Sequence, residues 1–373
     1  MDRNNDVEAA ALAVLAAYGT VSGVDLGAIA RAGGAGLVRP LGDGLINETF
    51  LVAAEAPGAS LRLVLQRVNP IFGPLVHEDI DAVTRHLERK GLLTPRLVPT
   101  AAGRLYVEHD GGVWRLLTYV PGQCFAVMTK ERAEPAGELV GRFHAAVQDC
   151  EHGFRFSRPG AHDLGRHLLT LAAAVDKVRG AGPAEPALLE PEREAFLRLA
   201  DEVARRAAEL PSEVPGPLRL CHGDLKLNNL RFDDAGRGVC LLDLDTLARL
   251  PLALELGDAL RSWCNPLGED DADARFDLGL FERALRGYAV HARDFIRAEE
   301  REFLVRGVER VALQLAARFG ADVVNQSYFR WDPQRFTSRA AHNLIRARSQ
   351  LGVARSLDEQ RSGAEALVGE LLG

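Results

Sequence analysis

Apolar residues along this chain change their period part-way through, and the change divides it. From Val38 to Phe50 turn formers give way to a β-like run, and Leu61 to Val68 reads as a further strand. The pattern predicts a strand, a glycine-bearing turn, a returning strand and then a third strand. Helices are predicted over Val7 to Tyr18 and from about His77 to Lys90, the second after a Pro-Gly-rich turn at Asn69 to Pro74. Two more apolar runs, Arg104 to Glu108 and Val113 to Val120, close this part at Pro121-Gly122.

Beyond Gly122 the spacing turns helical, because Leu139, Val140, Phe143 and Val147 recur at three and four residue intervals on one face. Long helical patterns follow near Glu192 to Leu210, Ala272 to Glu299 and Arg301 to Phe319. Leu218 to Leu247 is the exception, with short apolar runs broken by Asp234, Gly236 and Gly238, which predicts a β-hairpin-like insert with its polar residues at strand ends. The expected class is α+β, with a β-rich domain over residues 1–120 and a mainly helical one over 121–373.

A chain of 373 residues, 47% of them hydrophobic, has enough apolar material for two cores. Lys and Arg number 45 against 52 Asp and Glu, a formal charge of -7, so the balance advertises no nucleic acid partner and any anion must be bound by local cations or a metal. Five widely separated cysteines without a Cys-x-x-Cys spacing read as the reduced thiols of a cytoplasmic protein. The opening residues lack a basic n-region, and no stretch approaches the roughly 20 apolar residues of a spanning helix, so neither a signal peptide nor a membrane partner is expected.

Asp224, Asn229 and Asp243 fall within 20 residues, each in or beside a short apolar run. Carboxylates at a core boundary are costly unless a metal or hydrogen bonds compensate them. Phosphoryl transfer asks for little else: a carboxylate to orient and deprotonate the attacking hydroxyl, and oxygen ligands for the Mg²⁺ that neutralises a triphosphate. Asp224 suits the first role, Asn229 and Asp243 the second. A single Asp at a strand end is most often a turn residue, but the joint spacing is specific. His222-Gly223-Asp224 with Asn229 five positions after the Asp matches the kinase catalytic loop, Lys226 stands where such loops carry a lysine, and Asp243 follows across one hairpin.

These residues resemble the aminoglycoside phosphotransferase and choline kinase superfamily, whose brace is His-Gly-Asp-x-x-x-x-Asn followed by a hydrophobic strand ending in Asp-x-Asp/Glu. The resemblance implies a protein-kinase-like fold with a small β-rich N-lobe and a large, mainly helical C-lobe, and ATP with Mg²⁺ as cofactors. It also implies Asp224 as base, Asn229 and Asp243 as Mg²⁺ ligands, and His222 as a buried support of the loop. Asp245 shares a face with Asp243 if strand alternation persists, and either a second metal or a helix N-terminus would suit it. Asp258 looks like the superfamily's later structural Asp that holds the catalytic loop, and a helix cap suits it equally.

On the nucleotide side, Gly42 and Gly44, ahead of Asn47, permit close approach of backbone to phosphate. The third strand offers Gln66 and Arg67 where a lysine is customary, with Glu78 or Asp81 as its partner from the helix. Thr118, Tyr119 and Val120, in the connection between lobes near residues 116–122, are the candidates for adenine contact.

Within the superfamily the chain is most similar to the N-acetylhexosamine 1-kinases. The likeness rests on Leu65 to Asn69, Cys221 to Asn229, Leu242 to Thr246, Gly257 to Arg261, Tyr328-Phe329 and His342 to Gln350. It departs at Gly223 and Leu225, where that family tends to carry Asn and Thr. A small hydroxylated acceptor would be held by Trp263, Asn265, Tyr328, Arg339, His342 and Arg346, together with Asp224. The acidic run Gly268 to Asp273 keeps an aminoglycoside acceptor open. The readings are therefore a sugar kinase acting on an anomeric hydroxyl, a kinase of another small alcohol such as an aminoglycoside, choline or a homoserine-like acceptor, and a catalytically silent kinase-like binding protein. ATP or GTP, and monomer or homodimer, stay open.

Overall fold

The computed structural model describes residues 3–34, 36–42, 47–56, 59–181 and 188–373. They form two compact units, one of residues 1–121 with 149–157, the other of residues 122–148 with 158–373.

The first unit is built on a five-stranded antiparallel sheet of β3 (Val38–Pro40), β4 (Glu48–Ala56), β5 (Ala59–Val68), β6 (Val107–His109) and β7 (Gly112–Thr118), in the order β3-β4-β5-β7-β6. Ahead of it come α1 (Arg3–Leu15), the short pair β1 (Thr20–Val21) and β2 (Val24–Asp25), and α2 (Leu26–Arg31). Strand β5 shows why the sheet sits as it does. Leu61, Leu63 and Leu65 point to one face and bury against Val14, Leu15, Tyr18 and Leu26 of the leading segment. Each contributes about 1.5–3 kcal/mol relative to an exposed side chain.

Helix α3 (Val76–Arg89) buries Val76, Ile80, Val83 and Leu87 along one stripe. On the same helix Asp79, also buried, accepts hydrogen bonds from the Arg155 and Phe156 amides at 2.8 and 2.9 Å and meets His152 Nε2 at 2.7 Å. That carboxylate, with Lys90 on Asp149 at 2.5 Å, ties residues 149–157 into the first unit. The apolar pattern did not announce this return of the chain.

The second unit holds α4 (Lys130–Ala146), α5 (Leu164–Gly180), α6 (Glu192–Ala208), α7 (Leu252–Trp263), α8 (Leu278–Ala292), α9 (Ala298–Glu302), α10 (Leu304–Asn325), α11 (Arg339–Glu359) and α12 (Arg361–Leu372). Two antiparallel pairs interrupt the helices: β8 (Leu218–Cys221) with β11 (Ala248–Pro251), and β9 (Leu230–Phe232) with β10 (Gly238–Leu241). Helices α7 and α10 meet backbone to backbone. A Cβ on Gly257 would collide with the Gly307 carbonyl, and one on Gly307 with the Ala253 carbonyl, so the two glycines set this spacing. Among the described residues, no helix is long and apolar enough to cross a membrane.

Candidate active site

Strand β8 ends at Cys221, and the chain then runs through residues 222–226 into a single 3-10 turn, Leu227–Asn229, before β9. The first half of this loop hangs on one buried carboxylate. Glu255, in the first turn of α7, accepts the His222 amide at 2.7 Å and the Gly223 amide at 2.9 Å, one on each oxygen. His144 Nε2 of α4 lies 3.4 Å from it, and His144 Nδ1 is 3.0 Å from the Tyr288 hydroxyl of α8. Burial pushes the Glu255 carboxyl up, but His144, His222 and the Gly223 amide outweigh it and hold the group below its ordinary value, so it is ionised. His144, Cys221 and Glu255 offer atoms within 4.8 Å of one another. Both Glu255 oxygens already accept backbone N–H groups and burial holds the Cys221 thiol protonated, so the trio is a hydrogen-bonded brace and not a metal site.

Gly223 has φ +81°, and a Cβ there would strike the Thr246 carbonyl, so only glycine lets the loop lie against the turn that follows β10. His222 is fully buried. Its Nε2 lies 2.8 Å from the Leu242 carbonyl and so carries the proton, while Nδ1 accepts the Asp224 amide at 3.3 Å. Burial lowers its pKa and keeps the ring neutral. Trp263 Nε1 donates to the Leu225 carbonyl at 2.8 Å and steadies the far side of the loop.

These braces present Asp224 with about one-fifth of its side chain exposed. Lys226 Nζ stands 2.6 Å from Asp224 Oδ2, and Asn229 Nδ2 donates to the Asp224 carbonyl at 2.8 Å and to Oδ2 at 3.1 Å. Burial raises the Asp224 pKa, but the Lys226 ammonium, assisted by His222 and Arg261, more than reverses this and keeps the carboxylate ionised. Asn229 spends its NH₂ on Asp224, which leaves Oδ1 as the atom able to ligate a cation.

Asp243 follows β10 with φ 62° and ψ 61°, a left-handed conformation that is uncommon for a residue with a side chain and that costs about 1–2 kcal/mol. Its charge helps to hold Lys226 protonated, which places it in the same electrostatic neighbourhood as the base. Strand alternation does not persist beyond it: Leu244–Thr246 is a 3-10 turn, and Asp245 is buried at 1% exposure while Asp243 is partly open. The two carboxylates therefore do not share a strand face.

A loop of this form, followed by such an aspartate, is matched by one family model, the phosphotransferase enzyme family, over residues 37–292. The chain belongs to that family. It is 25% identical over 284 residues to a homoserine kinase of Cupriavidus pinatubonensis, covering 72% of this chain and 79% of that one. Among solved structures it resembles a microcompartment-associated aminopropanol kinase, with TM-score 0.56, 20% identity, and coverage of 88% of this chain and 93% of that one. It also resembles an aminoglycoside phosphotransferase of Alicyclobacillus acidocaldarius, with TM-score 0.57, 17% identity, and coverage of 95% and 96%. These likenesses confirm the two-lobed α+β kinase fold. The phosphotransferase is thus an ATP-dependent small-molecule kinase acting on a hydroxyl group.

In its first unit, the pleat separates Gln66 from Arg67. Arg67 pairs with Glu48 at 3.6 Å and lies over the Trp114 ring, on the face that α1 and α2 cover. Gln66 points to the other face, where its Oε1 accepts Arg115 Nε at 2.9 Å and its Nε2 donates to Thr49 at 3.2 Å. Arg115 is a buried cation that sequence reading missed, although the register Gln66↔Arg115 is what antiparallel pairing of these runs produces. Neither helix acid meets Arg67: Glu78 reaches Arg155 at 3.6 Å, and Asp81 takes Arg85 at 2.8 Å and Arg96 at 3.6 Å. Gly42 has φ +69°, whereas Gly44 lies outside the described residues. Asn47 is buried and accepts the Asn69 amide at 2.9 Å, a brace within the hairpin. Thr118 gives its amide to the Arg96 carbonyl and accepts the Arg96 amide on its hydroxyl, so its N–H is not open to an adenine. Tyr119 lies under Arg62, and Val120 is buried.

The acceptor residues expected in the C-terminal third mostly have partners within the protein. Trp263 is committed to the catalytic loop. Asn265 is buried and gives Nδ2 to the Gly268 carbonyl at 2.7 Å. His342 is buried, stacks on Phe336 with ring centroids 3.7 Å apart, and meets Asp270 at 2.8 Å. Arg346 bonds Asp270 at 2.8 Å, and Arg339 leaves that pair to reach the Gln326 carbonyl at 2.6 Å. Tyr328 is half exposed, takes Arg158 on its hydroxyl at 3.4 Å and lies under Arg318. Asp258 is salt-bridged to Arg261 at 2.9 Å; Glu255, one turn earlier, does the loop-holding expected of it. A signal for Glu255 existed in the sequence: an acid inside the apolar run Leu252 to Leu260 needs partners.

Proposed function

We propose that this enzyme transfers the γ-phosphoryl group of ATP to the anomeric hydroxyl of a hexose or N-acetylhexosamine, giving a sugar 1-phosphate. The observation that carries the reading is the charge state around the loop after α7. Asp258 and Glu269 both bind Arg261, and Asp270 binds Arg335, His342 and Arg346. A polycationic aminoglycoside calls for surplus negative charge, and these carboxylates are already neutralised. An uncharged polyol needs placed hydrogen-bonding groups instead.

Asp224 orients the attacking hydroxyl and accepts its proton. Its depressed pKa makes it a weak base, which suits an anomeric hydroxyl, more acidic than an ordinary alcohol. Lys226 fixes the carboxylate rotamer and offsets charge. The donor set fits Mg²⁺: Asn229 Oδ1 and the Asp243 carboxylate would hold it through oxygen. The metal, when bound, neutralises the charge that develops on the triphosphate. In the first unit Arg115, fixed by Gln66, supplies a buried cation beside the strand where a lysine is customary. None of the five cysteines is joined in a disulfide, in keeping with a cytoplasmic enzyme.

Phosphorus NMR of the product tests this reading, which expects coupling of the phosphate to the anomeric proton. Coupling to C6 protons, or turnover confined to amino alcohols, overturns it. A homoserine-like acceptor is the second reading, favoured by the 25% identity to a homoserine kinase over 72% of this chain.

A further inference from the structure

We propose that His162 and Gln314 form an acceptor-binding subsite of the catalytic centre, a pair that holds one hydroxyl of the acceptor. The inference rests on reading the site as a kinase for a hydroxylated molecule, and not on which sugar it takes.

Helix α10 lies on α7 through Gly307 and Val311, which meet Gly257. Gln314 continues that stripe by one turn, to the level of Arg261 on α7, since residues at i, i+4 and i+7 share a helix face. Two residues past Arg261, Trp263 holds the Leu225 carbonyl beside the base. Gln314, 1% exposed, is therefore carried on the side of α10 that packs on α7.

Its orientation is fixed. Nε2 donates to the Ala161 carbonyl at 3.1 Å, and a carbonyl only accepts, so the amide cannot be flipped. The other end, Oε1, is buried without a partner. The residue after Ala161 is His162, whose Nδ1 is likewise buried without a partner. Two unpaired polar atoms thus lie on side chains linked through one backbone carbonyl, and buried groups of this kind are costly until something pairs with them. Unpaired amide atoms also occur at Asn265, Asn343 and Gln350, but Asn265 and Asn343 spend their NH₂ groups on Gly268 and Asp322, not on a carbonyl beside a second unpaired ring.

The charged groups around His162 agree with a place near the catalytic loop. The carboxylates of Asp258, Glu255 and Asp224 and the guanidinium of Arg318 all act on the His162 ring, while burial lowers its pKa and keeps it neutral. A neutral imidazole presents one N–H and one lone pair, and Gln314 Oε1 presents lone pairs alone. A hydroxyl matches both, donating its one proton to Gln314 Oε1 and accepting from His162 in the tautomer that carries the proton on Nδ1.

The test uses the full chain with ATP and three probe acceptors, N-acetylglucosamine, glucose and L-homoserine, in an ADP-release assay. For whichever probe wild type phosphorylates, Gln314→Leu and His162→Phe are expected to raise the acceptor KM by about tenfold, with ATP KM and kcat within about threefold. Melting temperature is the control. Replacing an unsatisfied polar group by an apolar one of similar volume leaves His162→Phe as stable as wild type or more so. Acceptor KM unchanged in both variants, or rising together with ATP KM, overturns the proposal. Turnover of homoserine alone removes the sugar reading and still judges the pair by the same KM split. No turnover on any probe removes the hydroxyl-acceptor reading for these compounds and the pair with it.

Discussion

Two loops hang from α7 and are held by opposite chemistry. Residues 222–226 hang from its first turn, where the Glu255 carboxylate, fully buried, accepts backbone amides and is itself supported by His144 and Tyr288. The loop after Trp263 hangs from its last turn, where the Arg261 guanidinium gathers Asp258 and Glu269, and α11 adds His342 and Arg346 on Asp270. The first set of bonds is shut away from water; in the second, Arg261 and Asp258 are buried as well, but its outer pair is not, with 27% of the Asp270 side chain and 58% of Arg335 exposed. Buried hydrogen-bonded charges are costly to break, and solvated ion pairs are worth little. The contrast is therefore sharpest between Glu255 under the base and Asp270 at the outer end of the loop after α7.

The sharpest break comes from the base itself. Asp224→Asn is expected to lower kcat by about 10²–10⁴-fold while nucleotide affinity holds, because the amide cannot accept the proton but no metal ligand is lost. Turnover within threefold of wild type would remove Asp224 from that role. Next comes the buried brace. Glu255→Ala strands two amides and should cost about 3–5 kcal/mol in urea unfolding, with kcat falling too as the loop loosens. Acid titration of Glu255→Gln isolates the charge. The folded pKa of Glu255 lies below its ordinary value near 4.5, so its stabilisation is complete above that value and fades as pH falls through the folded pKa. The variant should show a flatter loss of stability on the acid side, and an identical slope would mean that the charge contributes nothing.

Asp243→Ala should weaken Mg²⁺-nucleotide binding by about tenfold in a calorimetric titration, and unchanged affinity across a magnesium series would take the metal role from it. The smallest effect is expected at the second loop. Asp270→Asn should change stability by about 1 kcal/mol or less and leave kcat near wild type. A loss as large as that of Glu255→Ala would erase the contrast between the two loops.

The motif around Asp224 was legible because its chemistry is local: base, lysine and asparagine lie within six residues, and glycine is required immediately before the base. The lobes were legible because apolar period differs between strand and helix. What supports the loop was not legible, since Glu255, His144 and Tyr288 come from three helices more than 25 residues distant and meet only in three dimensions. Asp245 misled because alternation was carried past the end of β10 at Leu241. Trp263, His342 and Arg346 misled for another reason. An aromatic ring or a basic side chain suits a ligand and a neighbouring carbonyl or carboxylate equally, and composition cannot separate the two. Gln66 and Arg67 could be told apart only once the pleat assigned each a face.

The glycine contact of α7 with α10 bears on how such an enzyme can change its acceptor. With no side chain between Gly257 and Gly307, neither helix can slide or tilt on a cushion of rotamers, and even alanine would force the pair apart. Residues one or two turns further on, Gln314 on one helix and Arg261 on the other, inherit that fixed distance. Variation toward a new acceptor is therefore channelled into exchanging the side chains that stand on this frame, each in single steps, while the frame itself stays closed to gradual change.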